Sequence, residues 1–300
     1  MDSSAPFAGA PADTSSAQVE RRSARMRLLI GFGGERAPVH ALRDASRFAL
    51  SLGAELHVLR VVSPGSSSEL APRHMSEHAR RQGRRLIAAT RHARVLCDGA
   101  LSERLPGPQL AARLGTFFEQ VALRAAEIRP DLILVSPNRK ELVATVQRLA
   151  RLTECAILVP RRGGSFERLL AATDLEEPDT PLLRRAAQLG RHLEATVVAL
   201  HGVPAGGSDV EGVSLTQRLL MLENATRRLG ARFESVVLRT GAPAREILQQ
   251  ARRCNADIIL VGTRLRSPGT AALVLQGAQR SVLVEPIAER VASASLAPAR

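Results

Sequence analysis

A chain of 300 residues exceeds the usual size of one domain, and 45% hydrophobic with 24% charged residues is the balance of a globular protein, neither disordered nor membrane-spanning. No apolar run nears the roughly 18 residues that a spanning helix needs, and Cys97, Cys155 and Cys254 are too few and too scattered for a disulfide framework or a metal cage. A net charge of +13 invites a polyanionic partner, but every Lys or Arg except Lys140 is arginine, as in a proteome-wide bias, and the chain lacks Trp and Tyr for base stacking, so composition argues against nucleic acid.

Residues 1–25 are rich in Ser, Ala and Pro, carry Asp2, Asp13 and Glu20, and have neither a basic start nor an apolar stretch. They read as a flexible tail on a cytoplasmic protein rather than a secretory or transit leader. The run Arg27–Val62 then lines up without a gap on Arg168–Val203, each with an apolar run, a polar turn, a helix-period stretch and a second apolar run. Each copy is a β-α-β unit. Leu42, Ala45, Phe48, Ala49 and Leu52 mark the buried helix face in the first copy, and Leu183, Ala186, Ala187 and Leu193 in the second. Gly53 ends the first helix in the usual way; the matching Glu194 does not.

Farther on, DLILVSP (Asp131–Pro137) matches DIILVGT (Asp257–Thr263), each after a helical stretch, Phe117–Ile128 and Ala244–Arg253. AILVP (Ala156–Pro160) matches SVLVE (Ser281–Glu285), and such continuous apolar runs suit strands covered on both faces. The order predicted in each half is β-α-β-α-β-α-β-α-β, a parallel open sheet with right-handed crossovers. The extra length of the first half, Asp98–Gly115, contains LSERLPGPQL and reads as a loop insertion; RRGGS (Arg161–Ser165) reads as a flexible connector. The domains expected are residues 26–160 and 167–286, with a linker at 161–166 and a second tail at 287–300.

Through the pattern RLLAATDLEEPDTPLLRRAAQLG, VVALHGVP, TGAPAREILQQARRCNADIILVGT and SVLVEP, the chain resembles the universal stress protein family in its tandem form, over nearly all of residues 26–286. The resemblance implies an α/β fold of two tandem open parallel five-stranded sheets flanked by helices, Rossmann-like and of the adenine nucleotide alpha hydrolase type. It also implies partners that meet along their fifth strands, here AILVP and SVLVE, as an intramolecular pseudo-dimer; a further homodimer or a regulated protein partner is open.

Family members that bind ATP do so at the carboxyl ends of the strands, where helix N-termini and backbone donors suit phosphate. They use an Asp after the first strand and a run G-x-x-G-x9-G-[ST] after the fourth. Carried over, the Asp falls on Asp174, the first glycine on Gly262 with Thr263 beside it, and the terminal pair on Gly269 and Thr270. The counterparts in the first half are Gly33, Ser136, Ala144 and Thr145, so that half lacks the ligand residues and is expected not to bind nucleotide. The second half departs too: Leu265 takes the second glycine's position and the loop is shorter than the pattern. A Cβ there hinders close approach to phosphate, while Arg264 and Arg266 offer charged donors. Plain structural roles stand beside these: a turn carboxylate for Asp174, a helix cap for Thr270, solvated arginines, and a satisfied strand-end residue for His201.

No lysine follows a glycine in a phosphate loop, which excludes a Walker A site. H-E-x-x-H, C-x-x-C and G-x-S-x-G are absent, and GFGGER has Arg36 where a dinucleotide fingerprint needs its third glycine. The expectation is a stress-response or signalling protein, not an enzyme, taking ATP in its second half, with or without magnesium. A ligand-free regulatory module and a weak ATPase are the alternatives.

Overall fold

RLLIGF forms β1 (Arg27–Phe32), and from Leu28 onward every residue of it is buried, as a strand covered on both faces requires. The polar turn after it leads to α1 (Val39–Leu52), whose Leu42, Ala45, Phe48, Ala49 and Leu52 are all buried against the sheet. Strand β2 (Glu55–Val62) returns parallel to β1, with Arg27 opposite Glu55. Next come α2 (Met75–Ala100), β3 (Gln109–Leu114), α3 (Phe117–Ile128), β4 (Leu132–Leu134), α4 (Leu142–Thr153) and β5 (Ala156–Val159). The second half repeats the order with β6 (Arg168–Thr173), α5 (Pro181–Leu193), β7 (Thr196–Val203), α6 (Leu215–Arg228), β8 (Phe233–Thr240), α7 (Pro243–Arg253), β9 (Ile258–Arg264), α8 (Gly269–Gly277) and β10 (Ser281–Ile287). This is a computed structural model, and it describes residues 25–33, 39–63, 75–100, 107–136, 140–161, 166–175, 181–203, 215–264 and 269–287; the expected tails lie outside it, except for Arg25 and for Ile287, which ends β10.

The strands run in the order β3-β2-β1-β4-β5-β10-β9-β6-β7-β8. Pairing is parallel within each half, whereas β5 and β10 pair antiparallel, Val159 opposite Val282 and Ile157 opposite Val284. The two sheets expected from the sequence are thus halves of a single ten-stranded sheet. AILV and SVLV are buried throughout, and unpaired they would leave two apolar edges open. Helices α1, α2, α5 and α6 cover one face of the sheet, and α3, α4, α7 and α8 the other.

One carboxylate does the same work in each half. Asp131 Oδ2 accepts from the Arg27 N–H at 2.8 Å, and Asp257 Oδ2 from those of Glu167 and Arg168 at 2.9 and 3.1 Å. These acids start β4 and β9 and pin the amino ends of β1 and β6 beside them, at the edge away from the strand carboxyl ends.

Three sequence expectations are corrected. The insertion is not a loop throughout: Gln109–Leu114 is strand β3, paired parallel with β2, and only residues 101–106 lie outside the described residues. QLAARL escaped notice because it is an edge strand, half-buried along most of its length, without a continuous apolar run. The first half's extra length sits in α2, which has 26 residues against 14 in α6. Nor are the ends of the connector loose: the Arg161 N–H donates to Ser281 Oγ at 3.0 Å, and the Phe166 ring meets Phe48 of α1 edge-on at 5.0 Å.

Finally, Glu194 does end its helix in the manner of Gly53. Both residues are left-handed, at φ 53° and 60°, and in each case the following amide donates back to the helix, Ala195 to Gly190 and Ala54 to Ala49. A Cβ in that conformation costs roughly 1 kcal/mol. Glu194→Gly therefore raises the urea unfolding free energy by about that amount and Gly53→Ala lowers it by about as much; a neutral or destabilising Glu194→Gly contradicts this.

Candidate functional site

Strand order reverses at β6, which has β7 on one side and β9 on the other. In an open parallel sheet this opens a crevice beyond the carboxyl ends of those strands. Ala172 lies opposite Val261, so the next residues, Thr173 and Asp174 on one strand and Gly262 and Thr263 on the other, share the crevice edge.

The turn after β6 is built to hold Asp174 outward. Thr173 is buried; its Oγ1 accepts from the Leu175 N–H at 3.2 Å, and its carbonyl accepts from His201 Nδ1 at 2.9 Å. Leu175, left-handed at φ 57°, returns into the core. Asp174 between them is exposed. His201, at the end of β7, is buried, and Nη1 of Arg218 on α6 faces its Nε2 at 3.5 Å. A guanidinium only donates and a carbonyl only accepts, an arrangement that favours a neutral ring with its proton on Nδ1. Burial pushes its pKa down and Arg218 adds to this, against the Thr173 carbonyl and Asp174.

Gly262 has a packing reason of its own. A Cβ there would collide with Cδ1 of Ile287, from the neighbouring β10. Thr263 is buried. Arg264 contributes its backbone to β9, while its side chain, Leu265 and Arg266 lie outside the described residues. Gly269 opens α8 at φ 38° and is exposed. Thr270 is half-buried in the first turn of α8.

The sequence reading missed an ion pair beside this edge. Glu285 of β10, level with Gly262, receives Arg185 Nε of α5 at 3.1 Å, and the same guanidinium donates to Gln188 at 3.1 Å. Burial raises the Glu285 pKa while Arg185 opposes the rise. The available signal was a lone acid ending an apolar strand. Burial also pushes the Cys155 thiol to about 12 and that of Cys97 to about 11, so both stay protonated at neutral pH.

At the equivalent edge of the first half, Phe32 and Arg60 replace Thr173 and His201. The Arg60 guanidinium lies over the Phe32 ring, 5.2 Å from its centre. Gly33 stands where Asp174 stands, with the Phe117 ring 3.5 Å from where a Cβ would sit. Among the described residues no group of three or more His, Cys, Asp or Glu could hold a metal ion, and no helix is long and apolar enough to cross a membrane.

Two outcomes follow from this geometry. Gly262→Ala destabilises by about 1 kcal/mol, and Ile287→Ala in the same chain offsets part of the loss; additive losses in a double-mutant cycle would show that the two side chains do not meet. His201 and the likewise buried His57 have lowered pKa values. The unfolded chain therefore takes up more protons just below pH 6.5, and stability falls as pH drops through that value. Urea midpoints at pH 7.5 and 5.5 read this, and His201→Gln flattens the slope; an unchanged slope would contradict the role given to His201.

The comparisons agree with this architecture. The model of the universal stress protein family matches residues 24–161 and again 165–295. Universal stress protein A homolog 2 of Coxiella burnetii is 26% identical over 137 residues, 40% of this chain and 94% of that protein. A universal stress protein from Archaeoglobus fulgidus aligns over 87% of this chain and 97% of its own, with a TM-score of 0.58 at 10% identity. A protein from Pseudomonas aeruginosa described as a putative universal stress protein aligns over 88% and 94%, with a TM-score of 0.59 at 18% identity. The chain belongs to the universal stress protein family and carries two copies of its domain in tandem.

Proposed function

We propose that this stress-response protein binds an adenine nucleotide at the crevice edge of its second half and does not turn it over. The observation that carries the reading is the outward-held Asp174. Thr173, His201 and Leu175 fix the turn around it and leave its carboxylate exposed at the switch point. A carboxylate there can accept hydrogen bonds from the base or the ribose of a nucleotide, and the start of α8, with Gly269 exposed and Thr270 half-buried, offers amide donors to phosphate. Gly262 fits less well, because Ile287 already occupies the space its missing side chain leaves. Phosphate is therefore assigned to Gly269 and Thr270 and not to Gly262. The first half, with Gly33 for Asp174 and Arg60 packed on Phe32, is assigned no nucleotide. Absence of turnover is supported by His201, whose two ring nitrogens are both engaged within the fold.

Ile287 over Gly262 favours a second reading, a ligand-free regulatory module. Thermal melting with and without millimolar ATP, beside Asp174→Ala, separates the two. Binding to the folded state adds about 2.7 kcal/mol at a hundredfold excess over Kd, which in a chain of this size raises Tm by roughly 5 °C. The nucleotide reading predicts that shift in the wild type and its loss in Asp174→Ala. No shift at any ATP concentration leaves the ligand-free module.

A further inference from the structure

The charge of +13 is unevenly distributed over the molecule. Helices α1, α2, α5 and α6 turn their apolar sides to the sheet, and among their described side chains the exposed arginines number two on α1, five on α2, two on α5 and two on α6. Among the side chains described on these helices Asp98 is the single exposed carboxylate, beside the half-buried Asp44 and Glu223. The opposite layer is mixed: exposed arginines number two on α4 and three on α7, and Glu119 and Glu127 stand exposed on α3, the latter paired with Arg113 and Arg124. Composition alone argued against nucleic acid; the distribution reverses that argument.

The basic layer is densest on α2, which has no acidic residue from Arg81 to Cys97. It continues across the join between the halves, since α2 packs on α1 and α1 on α5. Neighbouring helices sit about 8–10 Å apart, so the layer spans roughly 30–40 Å, about one turn of a duplex at about 3.4 Å per base pair.

We propose that this face docks on the phosphate backbone of double-stranded nucleic acid without reading its sequence. Guanidinium forks match phosphate oxygens, and a row of them neutralises successive phosphates. No described phenylalanine is exposed to stack on the bases of a single strand. A bilayer would need a continuous apolar stripe, but the exposed Ile87 and Val95 lie on α2 and Leu220 and Met221 on α6, which pack at opposite ends of the sheet.

The test is fluorescence anisotropy of the full chain on labelled duplexes of about 20 base pairs and unrelated sequence, from about 50 to 200 mM salt. Duplexes of different sequence are expected to bind alike at low salt, with log K falling against log salt at a slope of at least about −4, the release expected of four or more phosphates. Replacing Arg84, Arg85, Arg91 and Arg94 together by Gln weakens binding at least about tenfold, whereas the same replacement of Arg151, Arg245, Arg252 and Arg253 on the opposite layer changes it less than about twofold. All eight are exposed, and circular dichroism melts verify that both variants fold. No duplex binding at the lowest salt, equal loss in the two variants, or preference for phosphatidylserine vesicles or polyglutamate over duplex would overturn the proposal.

Discussion

The antiparallel pairing of β5 with β10 is the contact on which the rest of the molecule depends. Each strand would otherwise be the open apolar edge of a five-stranded sheet. Paired, they become interior strands of one sheet, and Ile157, Leu158, Val282 and Leu283 sit at 1% exposure or less. The same pairing fixes where β10 ends. Its carboxyl end sets Glu285 level with Gly262 and Ile287 over that glycine, so the seam between the halves and the crevice of the second half share a strand.

Duplication followed by divergence explains the asymmetry of the two crevices. The scaffold is held in common: a strand-start aspartate, Asp131 or Asp257, ties β4 to β1 and β9 to β6. The carboxyl edge is where the copies part. The second half keeps a polar turn, with His201 between a carbonyl and a guanidinium and Asp174 facing solvent. The first fills the same place with an arginine lying on a phenylalanine. The copies differ at these few strand-end residues while the strands, helices and seam that form the rest of the core recur in both.

Much of the fold was legible because repetition reinforced periodicity. The gapless match of Arg27–Val62 with Arg168–Val203 reappears as two sheet registers, Arg27 opposite Glu55 and Arg168 opposite Thr196. What failed were features whose meaning depends on a distant partner. QLAARL looks like loop because half-burial on an edge leaves no apolar run. Phe166 looks like linker until Phe48 is seen against it. Gly262 suited a phosphate loop by motif, yet the residue facing it, Ile287, was taken for tail. Glu285 and Arg185 are a hundred residues apart in sequence, and nothing local announces their pairing. The basic layer was hidden for the same reason: a sum of charges carries no information about which face holds them.

The most direct test of the single-sheet account is native-state hydrogen exchange at the seam. If β5 and β10 join the halves into one cooperative body, the amides of Ile157–Val159 and Val282–Val284 exchange only through global unfolding, as slowly as those of β1 and β6. Exchange at the seam orders of magnitude faster than at β1 and β6 would contradict the account and leave two independently stable sheets that touch.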